Sequence, residues 1–230
     1  MPARQNLVFD ADDTLWDSNI HFLEAFDEFV RACNTAGLAH NREFIKAAVR
    51  AAELELIKTH GYGREPYILA LHRATDALVE NGSIEALRAA IDKIGSYLVD
   101  RYCALLPGVE ETVRELANRH RLILFTKGQR DEQMRKLMRC GLLSIFDRVE
   151  TPREKDTDAY HRLIQDAELH PEASWMIGNS PRSDINPAIR AGLRAVYIPH
   201  PHTWELEQEE LEPSDRMIQI DDFRQLLELF

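Results

Sequence analysis

Polar residues that could do chemistry follow the apolar runs of this sequence. Asp10, Asp12 and Thr14 come directly after the run Leu7-Val8-Phe9, and Thr126-Lys127-Gly128 follows another apolar run. Carboxylates, hydroxyls and an ammonium group are the groups with which proteins bind divalent cations and phosphoryl groups. These residue types therefore indicate a site for one hard metal ion and one phosphoryl group.

Three further residues of the same kinds lie where later elements are predicted to begin or end. Lys155 stands in a charged stretch ahead of a predicted helix, Asn179 comes shortly after the apolar run that ends at Ile177, and Asp184 follows about one helical turn later. In an open parallel sheet, ligands bind beyond the carboxyl ends of the strands. We therefore expect these side chains to meet at one edge of one sheet.

The spacing of the apolar residues predicts the elements that carry this site. From about Asn19 to Tyr102 the apolar residues recur at helical spacing, whereas after Pro107 short apolar runs alternate with amphipathic helical stretches. Strands that alternate with helices are typical of a Rossmann-like, doubly wound parallel α/β sheet. We predict an α/β core formed by residues 1–16 and 105–230, interrupted by an all-helical domain over residues 17–104.

The composition excludes several classes of protein. Lys and Arg number 28 against 39 Asp and Glu, a formal charge of −11 that does not suit a nucleic-acid-binding face. No long uncharged apolar run predicts a transmembrane helix, and the first residues lack the apolar segment of a secretory signal. The three widely spaced cysteines predict neither a disulfide framework nor a zinc site. We expect a cytoplasmic protein, a monomer or homodimer, without a nucleic-acid or membrane partner.

The sequence resembles the haloacid dehalogenase superfamily of hydrolases, most of whose members are phosphatases. Residues 7–15 fit the family's first motif, an apolar strand followed by Asp-x-Asp-x-Thr, and Thr126 fits the second. Lys155 fits the third motif, and residues 178–185 fit the fourth except at Asn179, where such phosphatases usually carry a metal-binding Asp. The four motifs occur in the family's order and span most of the chain. The helical insertion looks like the C1-type cap of this family.

The resemblance implies a role for each of these residues. Asp10 would be the nucleophile that forms an aspartyl-phosphate, which divides one hard displacement into two easier steps. Asp12 would protonate the leaving oxygen and then activate water, for which we expect neighbouring carboxylates to raise its pKa. Lys155, Thr126 and the loop Lys127-Gly128 would bind the phosphoryl oxygens.

The same resemblance implies Mg²⁺ as the cofactor. The ion would contact the carboxylate of Asp10, the backbone carbonyl of Asp12 and the side chain of Asn179, while Asp184 holds a metal-bound water. A carboxamide oxygen can ligate Mg²⁺ without contributing a negative charge. We therefore expect a magnesium site that binds its ion more weakly than one with an Asp at residue 179.

Several functions are compatible with these motifs. The leading hypothesis is a Mg²⁺-dependent phosphatase of a small phosphorylated metabolite. A 2-haloacid dehalogenase would use the same aspartate to attack carbon without a metal; Asn179 favours it slightly, whereas Asp12 argues against it. The remaining alternatives are a phospho-ligand-binding protein without turnover and a phosphomutase.

Three segments outside the motifs could also matter. Arg64, in the break Gly61-Tyr62-Gly63-Arg64, could contact a second charge on the substrate, although an ordinary helix–helix turn explains the break as well. His200 and His202 follow a predicted strand, and we interpret them as part of a loop that shapes the site. The acidic run from Glu205 to Glu212 is interpreted as a solvated face or loop.

Overall fold

The computed structural model describes residues 4–79, 84–100 and 104–230 of the chain. Two compact units make up the molecule: one combines Met1–Asn19 with Cys103–Phe230, and the other is Ile20–Tyr102. Cys103 itself lies outside the described residues, whereas Cys33 and Cys140 are buried free thiols.

The first unit is built on a six-stranded sheet in the order β3-β2-β1-β4-β5-β6 with every pairing parallel. The strands are β1 (Asn6–Phe9), β2 (Arg121–Phe125), β3 (Arg148–Glu150), β4 (Ser174–Gly178), β5 (Arg194–Tyr197) and β6 (Met217–Gln219). This confirms the predicted doubly wound α/β fold. Because β1 lies between β2 and β4, the residues after Phe9 emerge at the middle of the sheet's carboxyl edge.

Helices cover both faces of this sheet. They are α5 (Val109–Ala117), α6 (Arg130–Arg139), α7 (Thr157–Asp166), α8 (Asn186–Arg190) and α9 (Leu226–Leu229). Alternate residues of β1 serve the two layers: Leu7 and Phe9 pack in one apolar cluster, and Val8 packs in the other. A strand buried on both faces has to be apolar throughout, which explains why β1 reads as an unbroken apolar run.

Two predicted helices of the core begin differently in the structure. The helix expected from Pro187 starts at Asn186 and is preceded by a π-helical turn, Pro181–Ile185. The helix expected over 223–229 begins with a 3₁₀ turn, Phe223–Gln225, in which Asp222 and Gln225 cap each other reciprocally. Apolar periodicity cannot distinguish these tighter or wider turns from α-helix because the apolar side chains stay on the same face.

The second unit consists of helices, as the apolar spacing predicts. In the described residues they are α1 (Asn19–Thr35), α2 (Arg42–His60), α3 (Arg64–Leu78) and α4 (Ile84–Asp100). Phe29 and Leu71 are fully buried in a core of this unit's own. The predicted turn at Asn81-Gly82-Ser83 lies outside the described residues. No helix in the described part of the chain is long and apolar enough to cross a membrane.

Candidate active site

Asp10 stands at the carboxyl end of the central strand. Its backbone amide donates to the carbonyl of Ile177 at 2.9 Å, which continues the parallel pairing of β1 with β4 by one residue. The chain then turns, with the amide of Leu15 donating to the carbonyl of Ala11 at 2.8 Å. Asp10 is 7 % exposed, so its carboxylate lies in a nearly closed environment whose partners decide its chemistry.

Lys155 holds two buried carboxylates at once. Its ammonium donates to Asp10 Oδ1 at 2.6 Å, to Asp184 Oδ1, and to the carbonyl of Phe125 at 3.2 Å. The second oxygen of Asp184 accepts from the amide of Ser180 at 2.9 Å. The structure thus brings Asp10, Lys155 and Asp184 together, with two negative charges sharing one positive charge.

This imbalance of charge perturbs all three groups. Burial raises the pKa of Asp10 above its ordinary range, and the attraction of Lys155 offsets only part of that effect. Burial likewise raises the pKa of Asp184 against the same ammonium. Burial alone would lower the pKa of Lys155, but the two carboxylates raise it well above its ordinary value. The cluster is therefore short of positive charge, as expected of a site that receives a cation.

Asn179 presents its amide oxygen to the same place. The hydroxyl of Thr203 donates to the carbonyl of His200 at 3.0 Å and therefore accepts from Asn179 Nδ2 at 2.8 Å. This fixes the amide orientation and leaves Asn179 Oδ1 3.0 Å from the hydroxyl of Thr14, which is also 3.2 Å from Asp10 Oδ2. One hydroxyl proton cannot satisfy both oxygens fully.

These donor atoms fit a magnesium ion. Asp10 Oδ2 and Asn179 Oδ1 converge on one hydroxyl and keep unused lone pairs, and oxygen is the ligand type that Mg²⁺ requires. Asp184 has both oxygens engaged by Lys155 and Ser180, so it suits a position behind the direct ligands. Asp10 and Asn179 would hold the ion, together with the backbone carbonyl that the resemblance assigns to Asp12.

Asp12 has surroundings that differ from the prediction. Its Oδ1 accepts from Trp16 Nε1 and from the ammonium of Lys136, both at 2.7 Å, and its Oδ2 accepts from Gln133 Nε2 at 2.7 Å. Burial alone would raise the pKa of Asp12, but the charge and hydrogen bond of Lys136, together with the hydrogen bonds of Gln133 and Trp16, outweigh burial and hold the pKa below its usual value. The expectation that neighbouring carboxylates raise this pKa was wrong because an ammonium group lies closer.

The second motif contributes a buried hydroxyl and a lysine whose ammonium is already bound by other side chains of the protein. Thr126 is buried at the end of β2, and its hydroxyl lies 3.3 Å from the carbonyl of Lys127. The ammonium of Lys127, which was expected to face a phosphoryl group, donates to Glu207 Oε1 at 2.5 Å and to the hydroxyl of Ser183 at 3.0 Å. Gly128 follows with φ +109°, a conformation that favours glycine.

Glu207 is an exception within the run 205–212, whose residues Glu205, Gln208, Glu209 and Glu210 are exposed as expected of a solvated face or loop. Its side chain is 15 % exposed, and its Oε2 accepts from the hydroxyl of Ser180 at 2.7 Å. Further along, Glu212 accepts from Arg190 Nε at 3.0 Å. Lys127 and Ser180 hold the pKa of Glu207 below its usual value although burial opposes them. The side chain of Glu207 is therefore packed against Lys127 of the second motif and Ser180 of the fourth, contacts that a linear sequence does not reveal.

His200 faces two carboxylates of the first loop. Its Nε2 lies 3.2 Å from Asp17 Oδ1 and its Nδ1 lies 3.8 Å from Asp13 Oδ1. Asp13 has φ +60°, and its Oδ1 accepts from the amides of Ser18 and Asn19 at 2.8 and 3.0 Å. Ligand atoms of Asp13, Asp17 and His200 lie within 4.8 Å of one another, and one hydrogen bond, between His200 and Asp17, joins two of the three residues.

Arg64 belongs to the other unit. It is the first residue of α3, and its guanidinium lies 3.5 Å from Glu65 Oε1. Its assignment to substrate binding stays a prediction.

Three residues at the site were missed from the sequence: Gln133, Lys136 and Glu207. Gln133 and Lys136 are three apart on α6 and so share a face, which was a usable signal. Arg130, Arg135 and Arg139 on the same helix made Lys136 inconspicuous. No local pattern pointed to Glu207.

Comparison with known proteins bears on this arrangement. The family described as haloacid dehalogenase-like hydrolase matches residues 5–192. A protein named glyceraldehyde 3-phosphate phosphatase from Methanothermobacter thermautotrophicus is 27% identical over 232 residues, which cover 97% of this chain and 98% of that protein.

Solved structures show the same fold. A haloacid dehalogenase-like family hydrolase from Xanthomonas campestris aligns with a TM-score of 0.80 and 27% identity over 97% of this chain and 92% of that chain. A hydrolase of the superfamily from Bacillus subtilis, solved bound to magnesium, aligns with a TM-score of 0.66 and 16% identity over 99% of this chain and 98% of that chain. A 2-haloacid dehalogenase from Pseudomonas syringae pv. Tomato aligns with a TM-score of 0.61 and 20% identity over 98% of this chain and 97% of that chain.

Proposed function

The chain belongs to the haloacid dehalogenase-like hydrolase family, and from that premise we propose that it is a Mg²⁺-dependent phosphatase of a small phosphorylated metabolite. The observation that carries this proposal is the buried pair of Asp10 with Lys155, at 2.6 Å, beside an amide oxygen of Asn179 suited to a hard cation. The relative named glyceraldehyde 3-phosphate phosphatase supports a small phosphate monoester as the substrate.

The residues divide the reaction into two steps. In the first, a carboxylate oxygen of Asp10 bonds to phosphorus, the bond from phosphorus to the substrate's ester oxygen breaks, and Asp12 gives its proton to that oxygen, which leaves an aspartyl-phosphate and the free alcohol. In the second, water attacks phosphorus, Asp12 takes its proton, and Asp10 is released with inorganic phosphate. Lys155 and Thr126 neutralise and orient the phosphoryl oxygens. Bound Mg²⁺ would supply the positive charge that the shared ammonium lacks.

Lys136 alters the charge balance of the site. Asp10, Asp12 and Asp184 are opposed by Lys155 and by Lys136, whose ammonium lies 2.7 Å from Asp12. With a divalent cation added, the positive charges exceed the negative ones by one. Such a site attracts an anionic ester, whereas an aspartate cluster without the cation would repel it.

We further propose that the protein is cytoplasmic and a monomer or homodimer. The free thiols of Cys33 and Cys140, the cysteines in the described part of the chain, support the location, because free cysteines are typical of reducing compartments.

The test measures inorganic phosphate released from 4-nitrophenyl phosphate and from glyceraldehyde 3-phosphate. Wild type is compared with Asp10→Asn, with millimolar Mg²⁺ and with chelator. We expect Asp10→Asn and chelator each to lower the rate by at least ~10³-fold, because each removes an essential part of the phosphoryl-transfer machinery. Asp131→Asn, a matched change of an exposed carboxylate on α6, should keep the wild-type rate.

Other results would redirect the assignment. Halide release from a 2-haloacid without metal, in place of phosphate release, would establish the dehalogenase alternative. Phosphate binding by calorimetry without turnover of either ester would establish the binding-protein alternative. Transfer of the phosphoryl group to a sugar hydroxyl in place of water would establish a phosphomutase.

A further inference from the structure

Asp12 is surrounded by hydrogen-bond donors on three sides. A carboxylate accepts about four hydrogen bonds, roughly two on each oxygen. Oδ1 receives two, from Trp16 Nε1 and Lys136 Nζ, and Oδ2 receives one, from Gln133 Nε2. Within the described part of the chain, one acceptor position of Asp12 is therefore left, and it lies on Oδ2.

The orientation of Gln133 is settled by its partners. Its Nε2 donates to Asp12 Oδ2 at 2.7 Å and to the carbonyl of Lys127 at 3.0 Å, and both partners are acceptors. Gln133 is 2 % exposed, and a Cβ at Gly128 would lie 3.1 Å from Nε2. Gln133 thus ties Asp12 to the loop that follows β2, and glycine at residue 128 leaves room for this contact.

Lys136 approaches from the same face of α6. Its side chain is 15 % exposed and its ammonium lies 2.7 Å from Asp12, while Glu132, its i−4 neighbour, lies farther away at 3.9 Å. Together with Trp16 and Gln133, this contact restrains the plane of the Asp12 carboxylate.

We propose that Lys136 and Gln133 are positioning residues for the second step: they orient the Asp12 carboxylate so that Oδ2 receives the proton of the water that hydrolyses the aspartyl-phosphate. The inference rests on the proposed phosphatase function and assigns within it two residues outside the four motifs. Lys136 acts through Asp12 and contacts no reacting atom. The first step with an acidic phenol as leaving group needs no proton donor, so it should not depend on Lys136.

The experiment separates the two steps by rapid mixing. With 4-nitrophenyl phosphate in excess, release of nitrophenolate in the first turnover reports formation of the aspartyl-phosphate, and the later linear phase reports its hydrolysis. For Lys136→Met we expect the first-turnover rate to stay within about threefold of wild type and the linear rate to fall about 100-fold, the lower end of the contribution of a placed general base. Acid-quenched Lys136→Met protein should carry about one phosphoryl group per active site by mass spectrometry.

Matched variants complete the design. Lys136→Arg keeps the charge and reach and should recover most of the linear rate, and Arg135→Met, on the exposed side of the same helix, should behave as wild type. In a double-mutant cycle, Lys136→Met should add nothing to the loss already caused by Asp12→Asn, because Lys136 acts through that residue. Gln133→Met, like Lys136→Met, should lower the linear rate relative to the first-turnover rate. If Lys136→Met does not fold, Lys136→Gln takes its place.

Three outcomes overturn the inference. Equal loss in both phases would make Lys136 a structural residue only. A further loss in the Asp12→Asn background would show that Lys136 acts independently of Asp12. A linear rate of Lys136→Met equal to that of wild type would show that it has no role. In each case wild type still turns over, whereas a wild type that forms neither nitrophenolate nor phosphoenzyme contradicts the proposed function itself.

Discussion

At the scale of single residues, the donors around a carboxylate decide what that carboxylate can do, and Asp10 and Asp12 are opposite cases. Asp10 shares its ammonium with Asp184, whereas Asp12 has the ammonium of Lys136 beside it. Both aspartates were placed at the right strand end from the sequence because they follow an apolar run directly. The environment of Asp12 was not predictable, since it depends on how α6 is rotated about its own axis.

The amide at residue 179 gives a prediction about metal dependence. Asn179→Asp adds a carboxylate next to Asp10 and removes the amide donor to Thr203. In chelator we expect the melting temperature to fall, because a third carboxylate joins a buried cluster already short of positive charge. With Mg²⁺ we expect a larger rise in melting temperature than in wild type and roughly tenfold tighter binding, since added ligand charge raises affinity. Thermal melts with chelator and with Mg²⁺ check the melting temperatures, and titration calorimetry checks the affinity; a wild-type affinity in the variant would argue against a ligand role for residue 179.

At the scale of elements, apolar periodicity located the strands and helices well, while the connection after β4 was outside its reach. The turn Pro181–Ile185 places Asp184 directly over Gly178. A Cβ built on Gly178 would lie 2.8 Å from Asp184 Cβ and closer still to the carboxylate. The need for glycine at residue 178 follows from the path of the turn, which brings Asp184 against it, and therefore could not be inferred from the sequence.

This close approach predicts the effect of a single methyl group. Gly178→Ala should destabilise the protein by about 1–3 kcal/mol, the usual cost of overpacking a tight site, and should displace Asp184 from Lys155. Gly95→Ala is the control: it lies within α4, and its Cβ would be in ordinary contact with Ile68 at 3.6 Å. The control should stabilise by about 0.5–1 kcal/mol. Urea denaturation measures the free energy of unfolding of both variants. Equal changes in the two would contradict the close approach of Asp184 to Gly178.

Helix α2 carries a carboxylate whose ionisation opposes folding. Burial raises the pKa of Glu53 from 4.5 to about 7, with Arg50 opposing it. Stability from this group is therefore fully present below pH 4.5 and is lost as the pH rises through 7. Glu53→Gln removes the ionisation, so it should stabilise the protein by about 1–2 kcal/mol at pH 8 and hardly at all at pH 4. Glu55→Gln, on the exposed side of α2, should show no such difference in denaturation experiments at the two pH values.

At the scale of the whole molecule, each of the two units has an apolar core of its own. The fold of the first unit was predictable because the order of motifs, strands and helices all pointed to one topology. The contacts of Glu207 with Lys127 of the second motif and Ser180 of the fourth were not predictable, because they join residues distant in sequence.

Two cores predict that unfolding is not a single all-or-none transition. Scanning calorimetry should give a van't Hoff enthalpy below the calorimetric enthalpy, since units with separate cores can unfold separately. Lys155→Met, which leaves two buried carboxylates without their ammonium, should lower only the transition of the sheet-containing unit. Coincident enthalpies, together with one transition that shifts as a whole, would show that the units unfold as one.

The central position of β1 has a consequence during synthesis. Asn6 of β1 pairs with Ser174 of β4, 168 residues later in the chain. At typical elongation rates of about 5–20 residues per second, the apolar strand waits roughly 10–30 s outside the ribosome before β4 exists. The helical unit is complete before either neighbour of β1 has been made, so Asp10, the proposed nucleophile, is the earliest part of the site to be translated and among the last to be enclosed. Until β2 emerges, Leu7-Val8-Phe9 lacks both of its neighbouring strands, and until β4 emerges it lacks one of them. Chaperones that bind unpaired apolar strands would recognise the nascent chain there.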